Sequence, residues 1–332
     1  SDNYSQDQYY LASYADEIYV NPMGTVMLTG YGSYRNYYKE ALDKLAIDFH
    51  VFRVGEYKDF IEPYTRNDMS ESSKENNKRW IQELWSVYSS RIEKHRSLPR
   101  DAINDYINNL DSQLRALGGD SAQLALQSGL VDKIIGSSEL KQTLRQRFGA
   151  GENGTDYKAI DHWDYLGHLA LEDSQQNQRV GLIVAKGNIV GGEQPAGAIG
   201  SETLVELLKQ AEDDRRIKAL VLRIDSGGGS AFASETIRQA VNALREKGKP
   251  VVISMGSVTA SGGYWIAAAG DEIWATPTTI TGSIGVFGAF PTAEKAFNKL
   301  GIYTDGIGTT KLAGAIRLDR DLPPIAENVL QQ

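Results

Sequence analysis

The fold is decided by the stretch PVVISMGSVTASGGYWIAAA, residues 250–269. It starts as an apolar, β-branched run and continues, after Gly262 and Gly263, as an apolar run typical of a helix. Ser261 stands between the two. A strand that ends at a serine and is followed by a helix predicts a sharp turn with an exposed hydroxyl, next to outward-pointing backbone N–H groups. That geometry suits an acyl-transfer nucleophile. The alternative interpretation of the same residues is a serine N-cap with glycines for a tight turn.

A second junction of this kind lies upstream, in ALVLRIDSGGGS, residues 219–230. An apolar run ends in three glycines and is followed by apolar residues at helical spacing, namely Ala233, Ile237, Ala240, Val241 and Leu244. Glycines at such a junction let the backbone approach a ligand and leave its N–H groups free, although a flexible turn has the same letters. With the nucleophile on one junction, the other can complete an oxyanion hole, for which we predict Gly228, Gly229 and Gly262.

Two signatures, RIDSGGGSAFASE (223–235) and SMGSVTASGGYWIAAAGDEIWATPTTITGSIGV (254–286), resemble the signal peptide peptidase A (protease IV) family of the Clp-protease/crotonase superfamily. The resemblance implies an α/β fold with tandem Clp-protease/crotonase-like domains, built from stacked strand–strand–helix units and carrying a helical arm. It also implies a membrane-associated serine peptidase with a Ser/Lys dyad, Ser261 being the nucleophile, that degrades cleaved signal peptides. The family usually has proline where this chain has Gly227, a difference that leaves the donor glycines in place.

An internal repeat supports the two-copy form of this family. Residues 9–19 align with 264–274 at a constant offset of 264 − 9 = 255. We therefore predict the C-terminal part of a first copy with its helical arm over 1–150, a linker over 151–178 and the second copy over 179–332. At this offset Gln6 stands opposite Ser261, so the first copy lacks the nucleophile, and Ser5 is one position away without the glycines.

The base of the dyad should be a lysine. The segment FRVGEYKDFIEP, residues 52–63, resembles the family's lysine segment and assigns the role to Lys58, which would place the active site between the two copies. Lys58 could equally be an ordinary surface lysine, and Lys311 is the alternative base. Lys311 lies opposite Lys58 after a two-residue slip of the repeat (311 − 58 = 253), and single-copy relatives keep serine and lysine in one domain.

To accept a proton, this lysine must be neutral. Its reference pKa of about 10.4 has to fall by roughly three units, which burial in an apolar pocket can achieve. Ser283, in TGSIG (281–285), matches the helper serine of the family that orients the amine, although it could be a simple turn residue. We expect a cleft that accepts aliphatic side chains, since small and apolar residues flank the site: Ala231, Val258, Ala260, Ile284 and Val286.

The composition is that of an ordinary globular protein, with 41% hydrophobic and 23% charged residues in a chain of 332. A net charge of −8 argues against nucleic-acid binding. The absence of cysteine excludes disulfides and thiolate metal sites. The four histidines show no metal spacing, so we expect no metal and no cofactor, and nothing in the sequence links a histidine to the Ser261 motif in support of a Ser-His-Asp triad.

Element boundaries follow from periodicity and breakers. We predict a helix over 70–96 that ends before Pro99, and a helix and turn over 120–136. In the second copy, strands and helices should alternate over 180–184, 201–211, 217–224, 231–245, 251–255 and 261–269, an α/β pattern.

The chain contains no apolar run of the roughly 20 residues that a membrane span needs. Members of the family carry an N-terminal anchor, so this chain should be an excised piece of a protein at the periplasmic face of the bacterial inner membrane. The family resemblance also implies a homo-oligomer, a tetramer, acting on hydrophobic peptides. Two further functions stay open: a crotonase-type acyl-CoA enzyme, which uses the glycine oxyanion hole without a serine, and a non-catalytic assembly domain.

Overall fold

The computed structural model describes residues 1–55, 58–151, 156–169 and 177–332. Before residue 170 the elements, in chain order, are α1 (Gln6–Ala12), β1 (Tyr19–Val20), α2 (Lys39–Lys44), β2 (Asp48–Val54), α3 (Glu62–Thr65), α4 (Glu71–His95), α5 (Ala102–Asn108), α6 (Leu110–Ala116), α7 (Ser121–Gln127), β3 (Lys133–Ile134), α8 (Ser137–Phe148) and α9 (His162–His168). After residue 176 they are β4 (Arg179–Lys186), β5 (Asn188–Val190), β6 (Ala198–Gly200), α10 (Ser201–Asp213), β7 (Ile217–Ser226), α11 (Ala231–Glu246), β8 (Val251–Ala260), α12 (Gly262–Ala267), β9 (Glu272–Trp274), β10 (Ile280–Gly282), β11 (Val286–Thr292), α13 (Glu294–Lys299) and α14 (Pro324–Gln331).

The chain forms two compact units. The first consists of Ser1–Gly32 with Ile81–Gln175, and the second of Ser33–Trp80 with Gln176–Gln332, so the division falls within α4. Residues 33–80, which lie in the predicted first copy, thus pack in the same unit as residues predicted to form the second copy. The boundaries predicted for the two copies and the linker, at 1–150, 151–178 and 179–332, remain predictions from the sequence. Of the predicted linker 151–178, residues 152–155 and 170–176 lie outside the described residues, and α9 occupies part of the remainder.

The first unit is a helical array around a two-stranded parallel sheet of β1 and β3. Its core includes two fully enclosed tyrosine rings whose hydroxyls find backbone partners. The Tyr9 hydroxyl donates to the Leu130 carbonyl at 2.6 Å, and the Tyr106 hydroxyl donates to the Val26 carbonyl at 2.9 Å. A buried phenol stays satisfied only with such a partner, so these bonds tie distant chain segments to one core.

The second unit is built on a parallel sheet with the strand order β10-β8-β7-β4, to which β9 is added beside β8. Alternate residues of the central strand β7 (Leu220, Leu222 and Ile224) are fully buried, which gives the strand one core face. On that side lie the apolar stripes of α10 and α11, the latter contributing Ala233, Ile237, Val241 and Leu244 at helical spacing. Each large aliphatic side chain buried there stabilises the fold by roughly 1.5–3 kcal/mol, so this layer is the main core of the unit.

The predicted α/β class is confirmed by this alternation of parallel strands and helices. The helix predicted over 70–96 forms as α4, and Asp120 caps α7 at the start of the predicted helix and turn. Strand β8 is longer than predicted, because it runs on past Met255 to Ala260. Its extra length carries the chain directly to Ser261. None of the described helices is long and apolar enough to cross a membrane.

A smaller antiparallel pair positions the lysine segment. Strand β2 pairs with β11 over seven residue pairs, from Asp48 opposite Thr292 to Val54 opposite Val286. The segment carrying Lys58 follows β2, and the turn carrying Ser283 precedes β11. The register of this pair therefore brings the two site segments to the same end.

One side chain closes the C-terminal end of α10. The Lys249 amine donates to the carbonyl groups of Ala211, Glu212 and Asp214, at 2.7, 2.5 and 2.8 Å. Carbonyl groups in the last turn of a helix have no partner within the helix, and a cation there also complements the helix dipole. The half-buried ammonium thus links α10 to the chain that leads into β8.

Replacing this ammonium should destabilise the second unit. We expect Lys249→Met to lower the free energy of unfolding by about 1–3 kcal/mol, because three carbonyl groups lose a charged donor. The matched control is Lys247→Met, which removes only an exposed ion pair with the Glu212 carboxylate and should cost less than about 1 kcal/mol. Urea unfolding of both variants measures the difference, and equal losses would contradict this role of Lys249.

Candidate active site

Ser261 occupies a strained turn between β8 and α12. Its backbone has φ 51° and ψ −120°, in a region that residues other than glycine rarely adopt. The N–H group of Ser261 donates to the Gly282 carbonyl at 2.8 Å, which holds the turn against the end of β10. Strain of this kind persists only where the surroundings enforce it, and it presents the half-buried hydroxyl at the end of the sheet.

Lys58 reaches this hydroxyl. Its Nζ lies 3.0 Å from Ser261 Oγ, 3.0 Å from Ser283 Oγ and 2.6 Å from the Ser283 carbonyl oxygen. The lysine is only 7% exposed, and burial lowers the pKa of its amine from the ordinary value of 10.5. A neutral amine has two N–H donors and one lone pair. With the donors directed to the two oxygens of Ser283, the lone pair can accept the proton of Ser261.

Ser283 is placed by the same sheet. Strands β8 and β10 are parallel, with Gly282 paired to Ala260, so Ser261 and Ser283 both follow directly after their strands. Ser283 also adopts a positive φ, of 50°. This turn directs both of its oxygens towards the Lys58 amine, an arrangement that orients the amine towards Ser261.

The glycine junction after β7 lies against the same serine. Gly228 and Gly229 have φ values of 107° and 153°, and a Cβ atom on Gly228 would lie 2.7 Å from Ser261 Cβ. A Cβ atom on Gly229 would lie 2.0 Å from the Ile189 carbonyl oxygen. Only glycine fits at either position, which explains why this junction is so rich in glycine.

Two backbone donors are available beside Ser261. Within the described residues, the N–H groups of Gly229 and Gly262 have no hydrogen-bond acceptor, and Gly262 is the first residue of α12. The N–H group of Gly228, predicted as a further donor, instead donates to Ser226 Oγ at 3.1 Å. That bond engages the Gly228 N–H group in shaping the loop, so that of the three predicted donors only Gly229 and Gly262 have a free N–H group among the described residues.

These groups line a cleft of about 510 Å³. Its apolar lining comes from Ile189, Val190 and a pair of rings, Phe60 and Phe287, whose centroids are 5.3 Å apart. The residues expected to flank the site (Ala231, Val258, Ala260, Ile284 and Val286) lie close in sequence to lining residues but do not themselves line the cleft. The remaining lining residues are Lys58, Asp59, Asn188, Gly191, Gly227, Gly228, Gly229, Ser230, Ser261 and Ser283.

Comparison with known proteins assigns the family. A profile of peptidase family S49 matches residues 1–150 and 243–332. The chain belongs to peptidase family S49. "Protease 4" of Haemophilus influenzae is 44% identical to this S49 chain over 315 residues, which are 94% of the chain and 51% of that protein. "Protease 4" of Salmonella typhi is 40% identical over 330 residues, 99% of the chain and 53% of that protein.

More distant relatives agree with this family. The chloroplastic serine protease SPPA of Arabidopsis thaliana is 29% identical over 312 residues, covering 92% of this chain and 45% of that protein. The S49 chain thus spans about half the length of the curated relatives it matches. Among solved structures, a mutant of the 1510-N membrane-bound stomatin-specific protease is 25% identical, with a TM-score of 0.25 over 31% of this chain and 45% of that one.

Several residues singled out from the sequence lie elsewhere in the S49 chain. Lys311 is exposed in a turn and is not among the residues that line the cleft. No histidine lines the cleft in the described part of the chain, and no cluster of three potential metal ligands occurs there. Within the predicted lysine segment, Glu56 and Tyr57 lie outside the described residues.

The position opposite Ser261 in the repeat has a different structure. Gln6 Oε1 accepts from the N–H groups of Thr29 and Gly30, at 3.0 and 2.9 Å. Ser5 Oγ accepts from the Gln8 N–H group at 3.3 Å and caps α1. At the positions corresponding to the Ser261 turn, therefore, the Gln6 amide holds the loop at Thr29 and Gly30, and the Ser5 hydroxyl is a helix cap.

Burial of Lys58 should be detectable as a pH dependence of stability. Its folded-state pKa is lowered, so between that value and the ordinary pKa the unfolded chain binds a proton that the folded chain does not. The free energy of unfolding of the wild type should therefore rise, relative to that of Lys58→Met, as pH increases from 7 towards 10.5. Urea unfolding at a series of pH values measures this difference. A flat difference for Lys58→Met would contradict a depressed pKa.

Proposed function

We propose that this chain carries the active site of a serine peptidase that uses a Ser261–Lys58 dyad to cleave hydrophobic peptides, among them signal peptides already released from their proteins. The observation that carries the proposal is the 3.0 Å approach of the Lys58 amine to the Ser261 hydroxyl, in a cleft where two backbone N–H groups have no acceptor among the described residues. Membership of peptidase family S49 supports the reaction class.

The reaction follows from this geometry. Lys58 Nζ takes the proton of Ser261 Oγ while the oxygen attacks the carbonyl carbon of the scissile bond. The negative charge that develops on the carbonyl oxygen is stabilised by the N–H groups of Gly229 and Gly262. The Lys58 ammonium then gives its proton to the leaving amine, and the peptide C–N bond breaks. A water molecule, deprotonated by the same amine, hydrolyses the acyl-serine and regenerates both residues.

Burial of Lys58 and the contacts of Ser283 serve this cycle. Burial lowers the pKa of the amine, so a larger share of the enzyme has the neutral base at a given pH. Ser283 accepts hydrogen bonds from the amine at its carbonyl and its hydroxyl oxygen, which fixes the amine's direction.

The substrate class is inferred from the cleft and the resemblance together. Phe60, Phe287, Ile189 and Val190 give the cleft an apolar wall that favours aliphatic or aromatic side chains over charged ones. Action on signal peptides, and a place at the periplasmic face of the bacterial inner membrane, rest on the resemblance to the signal peptide peptidase A family.

Removal of either member of the dyad should abolish turnover. We expect Ser261→Ala and Lys58→Ala each to lower kcat by roughly 10³-fold or more, and the double variant to lose no more than the single ones, because the two residues act as a unit. Cleavage of a leucine-containing reporter peptide measures kcat. Lys311→Ala is the matched control and should retain wild-type kcat. Full activity of either single variant would end this assignment.

A serine-directed fluorophosphonate separates this function from the alternatives. It should label Ser261 in the wild type and much more slowly in Lys58→Ala. Binding of an acyl-CoA thioester without labelling would instead favour a crotonase-type acyl-CoA enzyme, and neither labelling nor thioester binding would favour an assembly domain.

We also propose that the protein forms a homo-oligomer in which a strand pairing like that of β2 with β11 recurs between neighbouring protomers. At the offset of 255, the counterpart of β11 is 31–37 and the counterpart of β2 is 303–309. Neither segment is in a strand within the described part of the chain, and Tyr303 and Ile307 are 76% and 105% exposed. Pairing of residues 303–309 of one protomer with residues 31–37 of the next protomer would cover these side chains. Such a head-to-tail contact closes into a ring when its rotation allows.

A charge in this segment should therefore disrupt assembly. We expect Ile307→Lys to convert an oligomer into monomers in sedimentation velocity, because the ammonium cannot be buried between paired strands. Ile316→Lys, at another exposed isoleucine, is the matched control and should remain assembled. A monomeric wild type, or an Ile307→Lys variant that assembles normally, would contradict the pairing.

A further inference from the structure

The residue after the base, Asp59, does not face solvent as an ordinary acidic neighbour of a lysine would. Its carboxylate accepts hydrogen bonds from Ser73 Oγ and, at 3.2 Å, from Asn77 Nδ2, and it lies 3.4 Å from the Arg35 guanidinium. Its side chain is only 16% exposed. The carboxylate is thus bound to the start of α4 and to Arg35.

The donors that hold Asp59 are themselves fixed. Ser73 and Asn77 are 2% and 6% exposed and lie one turn apart on α4. Asn77 Nδ2 also donates to the Ser73 carbonyl at 2.8 Å, which orients the amide. Buried polar groups with satisfied partners have little freedom, so this face of α4 is a rigid attachment point.

A second carboxylate fastens the other end of the same turn. Glu62 is 6% exposed and accepts from the Ser70 backbone N–H group at 3.1 Å and from the Ser70 hydroxyl. Between the two carboxylates the backbone forms a hydrogen-bonded turn, in which the Glu62 N–H group donates to the Asp59 carbonyl at 3.0 Å. The turn that follows Lys58 is therefore attached at both ends to the first turns of α4, where negative charge is favourable.

The negative charge of Asp59 bears on the protonation state of the neighbouring Lys58. A carboxylate one residue from the base would favour the protonated amine if it faced it. Here the negative charge is matched by Arg35 and by two neutral donors, while the Lys58 amine contacts only the oxygens of Ser261 and Ser283 among the described residues. The attachment thus engages the carboxylate with partners other than the Lys58 amine.

We propose that Asp59 is a positioning residue that acts through Lys58: bound to Ser73, Asn77 and Arg35, it fixes the turn that keeps the amine buried against Ser261. This inference rests on the proposed function, because it presupposes that Lys58 is the base. A displacement of about 1 Å at the base can lower turnover by roughly 100-fold, so a loosened turn should affect the reaction more than the fold.

The test is Asp59→Asn, measured by kcat, KM and the pH dependence of kcat. We expect kcat to fall about tenfold to a hundredfold with little change in KM, and the rising limb of the pH profile to move to higher pH because a looser turn admits water to the amine. Ser73→Ala removes one donor only and should show the same shift with a smaller loss. Asp68→Asn, in the exposed ion pair with Arg66, is the matched control and should leave both unchanged.

The outcomes separate this inference from the proposed function. If Lys58→Ala is inactive while a folded Asp59→Asn keeps wild-type kcat and pH profile, the positioning role is overturned and the dyad stands. A lower melting temperature with an unmoved rising limb overturns it as well, because that result describes an anchor of the fold alone. If Asp59→Asn does not fold, Ser73→Ala decides by the same criteria. Full activity of Lys58→Ala would overturn the proposed function itself.

Discussion

The antiparallel pairing of β2 with β11 is the contact on which the site depends. Seven residue pairs join these two strands, which are more than 200 residues apart in sequence, and they fix the relative positions of the segments carrying Lys58 and Ser283. The parallel pairing of β8 with β10 then sets Ser283 beside Ser261. Two registers of backbone hydrogen bonds thus determine where three side chains meet. A slip of one residue in either register would turn these side chains to the opposite face of the sheet.

The local features of the site could be predicted because they depend on few neighbouring residues. The turn at Ser261 follows from an apolar strand, a serine and two glycines, and the loop at Gly228 and Gly229 follows from backbone conformations that only glycine adopts without strain. The α/β alternation was predictable for the same reason, since each buried strand and amphipathic helix carries its own periodicity. The lysine was assigned by its sequence context, and the structure places its amine next to Ser261.

The features that escaped prediction depend on contacts between distant segments. The apolar lining of the cleft comes from Phe60, Phe287 and β5, which are far apart in sequence and which no single motif brings together. The hydrogen bond of the Gly228 N–H group to Ser226 Oγ depends on a side-chain rotamer that no pattern of letters reports. The attachment of Asp59 to α4 also joins segments that only the folded chain brings together, although the acidic residue next to the base was a visible signal.

The backbone conformation of Ser261 has a consequence for how such a protein can change over time. A positive φ at a residue with a side chain costs on the order of 1–3 kcal/mol, and glycine would remove most of that cost. A glycine at position 261 should therefore give a more stable but inert chain. Stability and the proposed reactivity thus favour different residues at this one position, and selection for stability alone would remove the hydroxyl that we propose as the nucleophile. Drift at this position would then be a direct route from an enzyme to a robust scaffold with the same fold.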